Sequence, residues 1–112
     1  MKKIEAIIRP EKLNDVKVVL SDLGVNGMTV SNVSGFGNQK GYTQIYRGQE
    51  IVTRLLPKIK LEAVVSSNKV DEVIAAIIKT SKTGEFGDGK IFVYDVADAV
   101  RIRTGEHGDA AL

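Results

Sequence analysis

Apolar positions along the chain follow two periods that take turns. The run Ile4-Glu-Ala-Ile-Ile8 is short, apolar and largely β-branched, and Pro10 closes it, which predicts a strand. Leu13, Val16, Val19, Leu20 and Leu23 then recur at helical spacing, and Gly24 supplies a natural stop. Met28 to Val33 predicts a second strand. Further on, Leu61 to Val65 predicts a strand, and Val70, Val73, Ile74 and Ile77 form a helical stripe. Ile91-Phe-Val-Tyr-Asp-Val96 predicts a strong last strand, with a short tail strand expected over Val100 to Arg103.

The pattern repeats. Ile4-Glu-Ala-Ile-Ile8 is echoed by Leu61-Glu-Ala-Val-Val65, and Lys12-Leu-Asn-Asp-Val16 by Lys69-Val-Asp-Glu-Val73, at a constant offset of 57. The duplicated unit is β-α-β. The order β-α-β-β-α-β predicts an α+β, ferredoxin-like sandwich with both helices on one sheet face. The 112 residues suffice for one domain spanning 1–112. A domain this small buries only about two-thirds of its unfolded surface. Self-association is the economical cover for the other sheet face, unless that face is polar.

One connection is out of proportion. Phe36 to Pro57 joins the two middle strands with little apolar periodicity, whereas a passive hairpin needs only about two to five loop residues. Its glycines, its basic residues Lys40, Arg47 and Arg54, and its tyrosines Tyr42 and Tyr46 suit an arm that contacts other proteins.

Composition removes several function classes. Sixteen basic and fourteen acidic residues give a net charge of +2, too balanced for a general nucleic-acid or membrane binder. There is no cysteine and a single histidine, His107, so a disulfide framework, a thiolate nucleophile and a zinc site are all excluded. No apolar stretch approaches the roughly 20 residues of a membrane span. The start of the chain does not read as a signal peptide, and a soluble cytoplasmic domain is expected.

Three clusters could hold an anion. In Thr83-Gly-Glu-Phe-Gly-Asp-Gly-Lys90 the spacing approaches that of a P-loop, but Ile91 stands where a Ser or Thr should be and a strand follows instead of a helix. Glycines there still let backbone N–H groups turn toward an anion, and Lys90 adds charge. Arg101 and Arg103, if on a strand, point to one face, where a polyphosphate would suit both guanidinium forks. Gly35-Phe-Gly-Asn-Gln-Lys-Gly41 allows close backbone approach but lacks the helix of a dinucleotide fingerprint. A structural account exists for each cluster: a turn, a solvated strand edge and a hairpin turn.

No Ser-His-Asp arrangement or other catalytic constellation is present, and His107 sits in a tail that reads as flexible. An acylphosphatase-like small hydrolase uses the same topology, but it needs an anion loop after the first strand. Here that segment is Arg9-Pro-Glu-Lys12, without glycine. An RNA-binding module of this topology would stack bases on aromatics of its middle strands, and these have none.

The chain resembles the PII nitrogen-regulatory signal protein family along its whole length. The resemblance rests on Gly27-Met-Thr-Val30, Gly35-Phe-Gly37, Gln39-Lys-Gly41, Tyr46-Arg-Gly48, Leu56-Pro-Lys58, Thr83-Gly84, Gly87-Asp-Gly-Lys-Ile-Phe-Val93 and Arg101-Ile-Arg-Thr-Gly105. It implies a homotrimer with nucleotide sites between subunits, where ATP and ADP compete, and a signal protein, not an enzyme. By similarity the adenine side comprises Thr29 and Val64 with Ile7, Gly35 and Glu62. The phosphate side comprises Gly87, Asp88, Gly89 and Lys90 with Arg101, Ile102 and Arg103, and Gly37, Asn38 and Gln39 complete the nucleotide set. Gln39 would help ligate Mg²⁺, bridging ATP to 2-oxoglutarate, and Lys40, Gly41, Lys58 and Gly87 would join Gln39 around the keto acid. The long connection, about 36–57, corresponds to the family's T-loop. Its Tyr42, Tyr46, Arg47, Gly48 and Arg54 would meet partners: nitrogen-metabolism enzymes or regulators, and the ammonium channel, which recruits such proteins to the membrane and whose pore Arg47 would enter.

Three positions depart from the family. Ile51 replaces the tyrosine that many bacterial members uridylylate, and Gln49 stands where others carry a phosphorylated serine. Effector binding is therefore expected to be the main control. Asn38 stands in place of a frequent arginine, so one cationic phosphate contact is absent.

Overall fold

A computed structural model describes residues 1–35 and 55–112 with their side chains, and residues 42–46 and 49–53 for their backbone alone. Gly37, Asn38, Gln39, Lys40, Gly41, Arg47, Gly48 and Arg54 lie outside the described residues, as do the side chains of Tyr42 and Tyr46.

Four strands form an antiparallel sheet. They are β1 (Lys2–Ile8), β2 (Thr29–Gly35), β5 (Leu56–Val65) and β6 (Lys90–Asp95), in spatial order β2-β5-β1-β6. Strands β3 (Tyr42–Tyr46) and β4 (Gln49–Thr53) pair only with each other. The helices are α1 (Leu13–Asp22) and α2 (Val70–Ser81), and each is entered through a 3₁₀ turn, Pro10–Lys12 and Ser67–Lys69. The two turns and the two helix starts stand 57 residues apart, so the sequence repeat is a repeat of structure. Lys69, at the entry of the second helix, donates from Nζ to the Leu23 carbonyl at 2.9 Å, giving α1's C-terminal end a cation and a donor.

Alternation sets the core. Ile4, Ala6 and Ile8 of β1 and Ile59, Leu61, Ala63 and Val65 of β5 are buried. They meet Val16 and Leu20 of α1 and Val73 and Ile77 of α2 in one cluster. Ile4 lies opposite Ala63, and Ala6 opposite Leu61, so this register puts every buried side chain of the two central strands on the helix side. The opposite face is mixed. Ile7, Val33, Val64 and Phe92 surround a charged centre made of Lys3, Glu5, Lys60 and Glu62.

Three expectations need correction. The strand predicted over Leu61 to Val65 begins earlier, at Leu56, and the long connection before it holds the β3–β4 pair. No strand covers Val100 to Arg103; a lone bridge joins Val100 to His107 and a turn follows. The tail is also built, not loose, with a 3₁₀ turn at Gly108–Ala111 and the His107 Nδ1 2.8 Å from Asp98 Oδ2.

Candidate functional site

Asp88 organises the glycine-rich loop before β6. Its carboxylate accepts from the backbone N–H of Thr83 and of Gly84, each at 2.9 Å, from the Thr83 hydroxyl, and from Arg9 Nε at 3.2 Å. These donors, the Thr83 hydroxyl foremost, hold the Asp88 carboxyl far below the usual carboxylate range. Arg9 also donates to the Phe86 carbonyl at 2.8 Å, and Phe86 itself is 70% exposed at the loop's rim. The carboxylate is thus engaged in shaping the loop, and only the backbone of Asp88 remains to meet an anion.

Gly89 presses the loop onto the sheet. Its φ is +104°, and a Cβ there would lie 1.6 Å from the Ile7 carbonyl oxygen. Only glycine fits such a backbone-to-backbone approach. From β5, Lys58 donates to the Gly87 carbonyl at 2.7 Å. Burial, then the charge of Arg9, pushes the Lys58 ammonium below its ordinary pKa. Lys90 opens β6 directly opposite Ile7. Ile7, Lys58, Gly87, Asp88, Gly89 and Lys90 therefore form one cluster at one end of the sheet. Gly35 lies at the same end, opposite Leu56. Arg9, which motif reading passed over, completes the cluster; a cation just before the strand-closing Pro10 was the available signal. With Arg9 held by Asp88 and Phe86, the segment after β1 offers no anion loop of the acylphosphatase kind.

A second concave site lies at the other end of the strands, where β2 meets β5. Strand β2 begins at Thr29 opposite Glu62, whereas β5 runs on to Val65. The three-residue overhang makes a notch, a cavity of about 480 Å³ lined by Thr29, Glu62, Val64, Gly27, Lys3 and Lys69 among others. The notch and the loop lie at opposite ends of the strands: Lys58, which holds the loop, and Glu62, at the notch, are four residues apart on β5, about 13 Å.

The arginines of the tail are arranged differently from the expected pair on one strand face. Asp98 accepts from the N–H groups of Ala99 at 2.8 Å and Gly108 at 3.1 Å, pinning a turn. Hydrogen bonding to His107 leads the causes that hold Asp98 below the usual carboxylate range. Within the turn Arg101 donates to Glu106 at 3.3 Å and to the Leu112 carbonyl at 3.2 Å. Arg103 points outward, and Ile102 between them is 100% exposed. Among the described residues no group of three or more acidic or histidine side chains is gathered to hold a metal ion. Nor is any described helix long and apolar enough to cross a membrane.

Residues 1–106 match the sequence profile of the family described as nitrogen regulatory protein P-II. The chain is 58% identical over 112 residues to nitrogen regulatory protein P-II of Pasteurella multocida and likewise to that of Haemophilus influenzae, covering all of each chain. It is 56% identical, again with complete coverage of both chains, to nitrogen regulatory protein P-II 1 of Escherichia coli K12.

Proposed function

Because the chain belongs to the nitrogen regulatory protein P-II family, we propose that it is a signal protein and not an enzyme. In this reading it senses ATP against ADP together with 2-oxoglutarate and passes the outcome to partner proteins. The adenine side is the notch with Thr29, Glu62 and Val64. The phosphate side is the loop Gly87, Asp88, Gly89 and Lys90, reached by Arg101 and Arg103 of another copy. The observation that carries this reading is the loop itself: its Asp88 carboxylate is turned inward by Arg9 and Thr83, and Lys58 is held at its base. That arrangement suits an anion, by backbone N–H groups and a nearby lysine.

The two halves lie at opposite ends of the strands, and in this reading a nucleotide uses the loop of one copy and the notch of the next. The assembly proposed is a ring of copies, a homotrimer, with the sites in its clefts. Mg²⁺ would supply charge neutralisation between ATP and the keto acid, with Gln39 as the protein ligand, and Lys58 would pair with a 2-oxoglutarate carboxylate. The segment about 36–57 would dock on the ammonium channel or on nitrogen-metabolism enzymes or regulators through Tyr42, Tyr46, Arg47 and Arg54. Nucleic acid is not among the proposed partners. Among the described residues nothing favours an acylphosphatase-like hydrolase.

Calorimetric titration of ATP–Mg²⁺, with and without 2-oxoglutarate, tests the reading. Each ligand should tighten the other by the same factor, as linkage requires. ATP binding without coupling would leave a sensor of ATP against ADP alone, and absence of ATP binding would overturn the reading.

A further inference from the structure

Five side chains on the open sheet face close into a ring. Lys3 Nζ lies 3.3 Å from Glu62 Oε2. Lys60 Nζ reaches Glu62 Oε1 at 4.0 Å and Glu5 Oε1 at 3.9 Å. The Tyr94 hydroxyl donates to Glu5 Oε2 at 3.2 Å, and Lys3 Nζ sits 4.5 Å from the centre of the Tyr94 ring. The ring spans three neighbouring strands, β5, β1 and β6. Two of its members, Lys3 and Glu62, also line the notch.

We propose that Lys3 is a positioning residue for purine selection: it fixes the Glu62 carboxylate at the lip of the notch, where that carboxylate favours adenine over guanine. The inference rests on the nucleotide reading above and deepens it. An ionised carboxylate only accepts hydrogen bonds. It suits the exocyclic amino group of adenine and opposes the carbonyl that guanine carries at the same place. Its discrimination depends on aim, and a free glutamate has several rotatable bonds. Lys3 holds one carboxylate oxygen from one side, and the Tyr94 face steers the ammonium through a cation–π contact. Lys60 approaches the other oxygen, but it is shared with Glu5 at nearly equal distance, so Lys3 has the shorter hold.

The test compares ATP and GTP binding to the wild type, Lys3→Gln and Lys3→Arg, each with Mg²⁺, by calorimetry. The wild type is expected to prefer ATP. Lys3→Gln is expected to lower the ATP-to-GTP affinity ratio by about tenfold, and Lys3→Arg to restore most of it, since a guanidinium keeps the ion pair. A purely structural role for Lys3 would weaken both nucleotides equally and leave the ratio unchanged; that result overturns the proposal. A wild type that binds ATP and GTP alike also overturns it while leaving the nucleotide reading intact. A wild type that binds neither overturns the nucleotide reading, and this inference falls with it.

Discussion

One methyl group added at position 89 would stand 1.6 Å from the Ile7 carbonyl oxygen, on a backbone whose φ of +104° already penalises a side chain. Gly89→Ala is therefore expected to cost about 1–3 kcal/mol from the backbone conformation alone. Thermal melting should register this as a fall of several degrees, and ATP affinity should fall with it. Asp88 makes the loop sensitive to acid. Its folded pKa lies below the unfolded value of about 3.9, so its stabilisation is complete above that value and is lost as pH falls through the depressed one. Asp88→Asn should flatten the acid limb of a stability-against-pH curve, measured by denaturant unfolding between neutral pH and pH 3. Lys58 works in the other direction. Its pKa is lowered, so its charge is lost at a less alkaline pH than for a free lysine. Binding of 2-oxoglutarate should weaken as pH rises into that range, and Lys58→Ala should abolish the response to 2-oxoglutarate while ATP still binds.

The elements owe their positions to the two hydrophobic periods, and most of them were legible for that reason. Leu61 is fully buried at the middle of the core. Leu61→Ala should cost about 2–5 kcal/mol in chemical denaturation, as for other large-to-small core changes. What escaped the sequence was decided elsewhere. The first half of β5 alternates Leu56, Lys58, Lys60 with Pro57 and Ile59, and two lysines on the open face hide its apolar rhythm. The segment Val100 to Arg103 has the alternation of a strand, but the Asp98 carboxylate binds the N–H groups of Ala99 and Gly108 and bends it into a turn. Side-chain bonding to the backbone competes with ladder pairing in this way. In the candidate site, the glycines and Lys90 were visible from spacing. Arg9 was not, because its link to Asp88 spans 79 residues and no local pattern encodes it.

At the scale of the molecule, the loop and the notch lie at opposite ends of the strands of a sheet that has helices on one side only. Sedimentation of the purified protein should give the mass of three chains if the proposed ring forms. The mixed open face needs another surface to cover Ile7, Val33, Val64 and Phe92. The notch has a meaning beyond the proposed ligand recognition. Where β2 begins late, β5 keeps a short stretch of edge without a ladder neighbour among the described residues, and such an edge is a template for other chains. If the proposed base sits there, it acts as a plug on a sticky end. Preparations stripped of nucleotide should therefore cloud sooner on concentration than those kept with ATP, by light scattering, so that solubility itself reports occupancy.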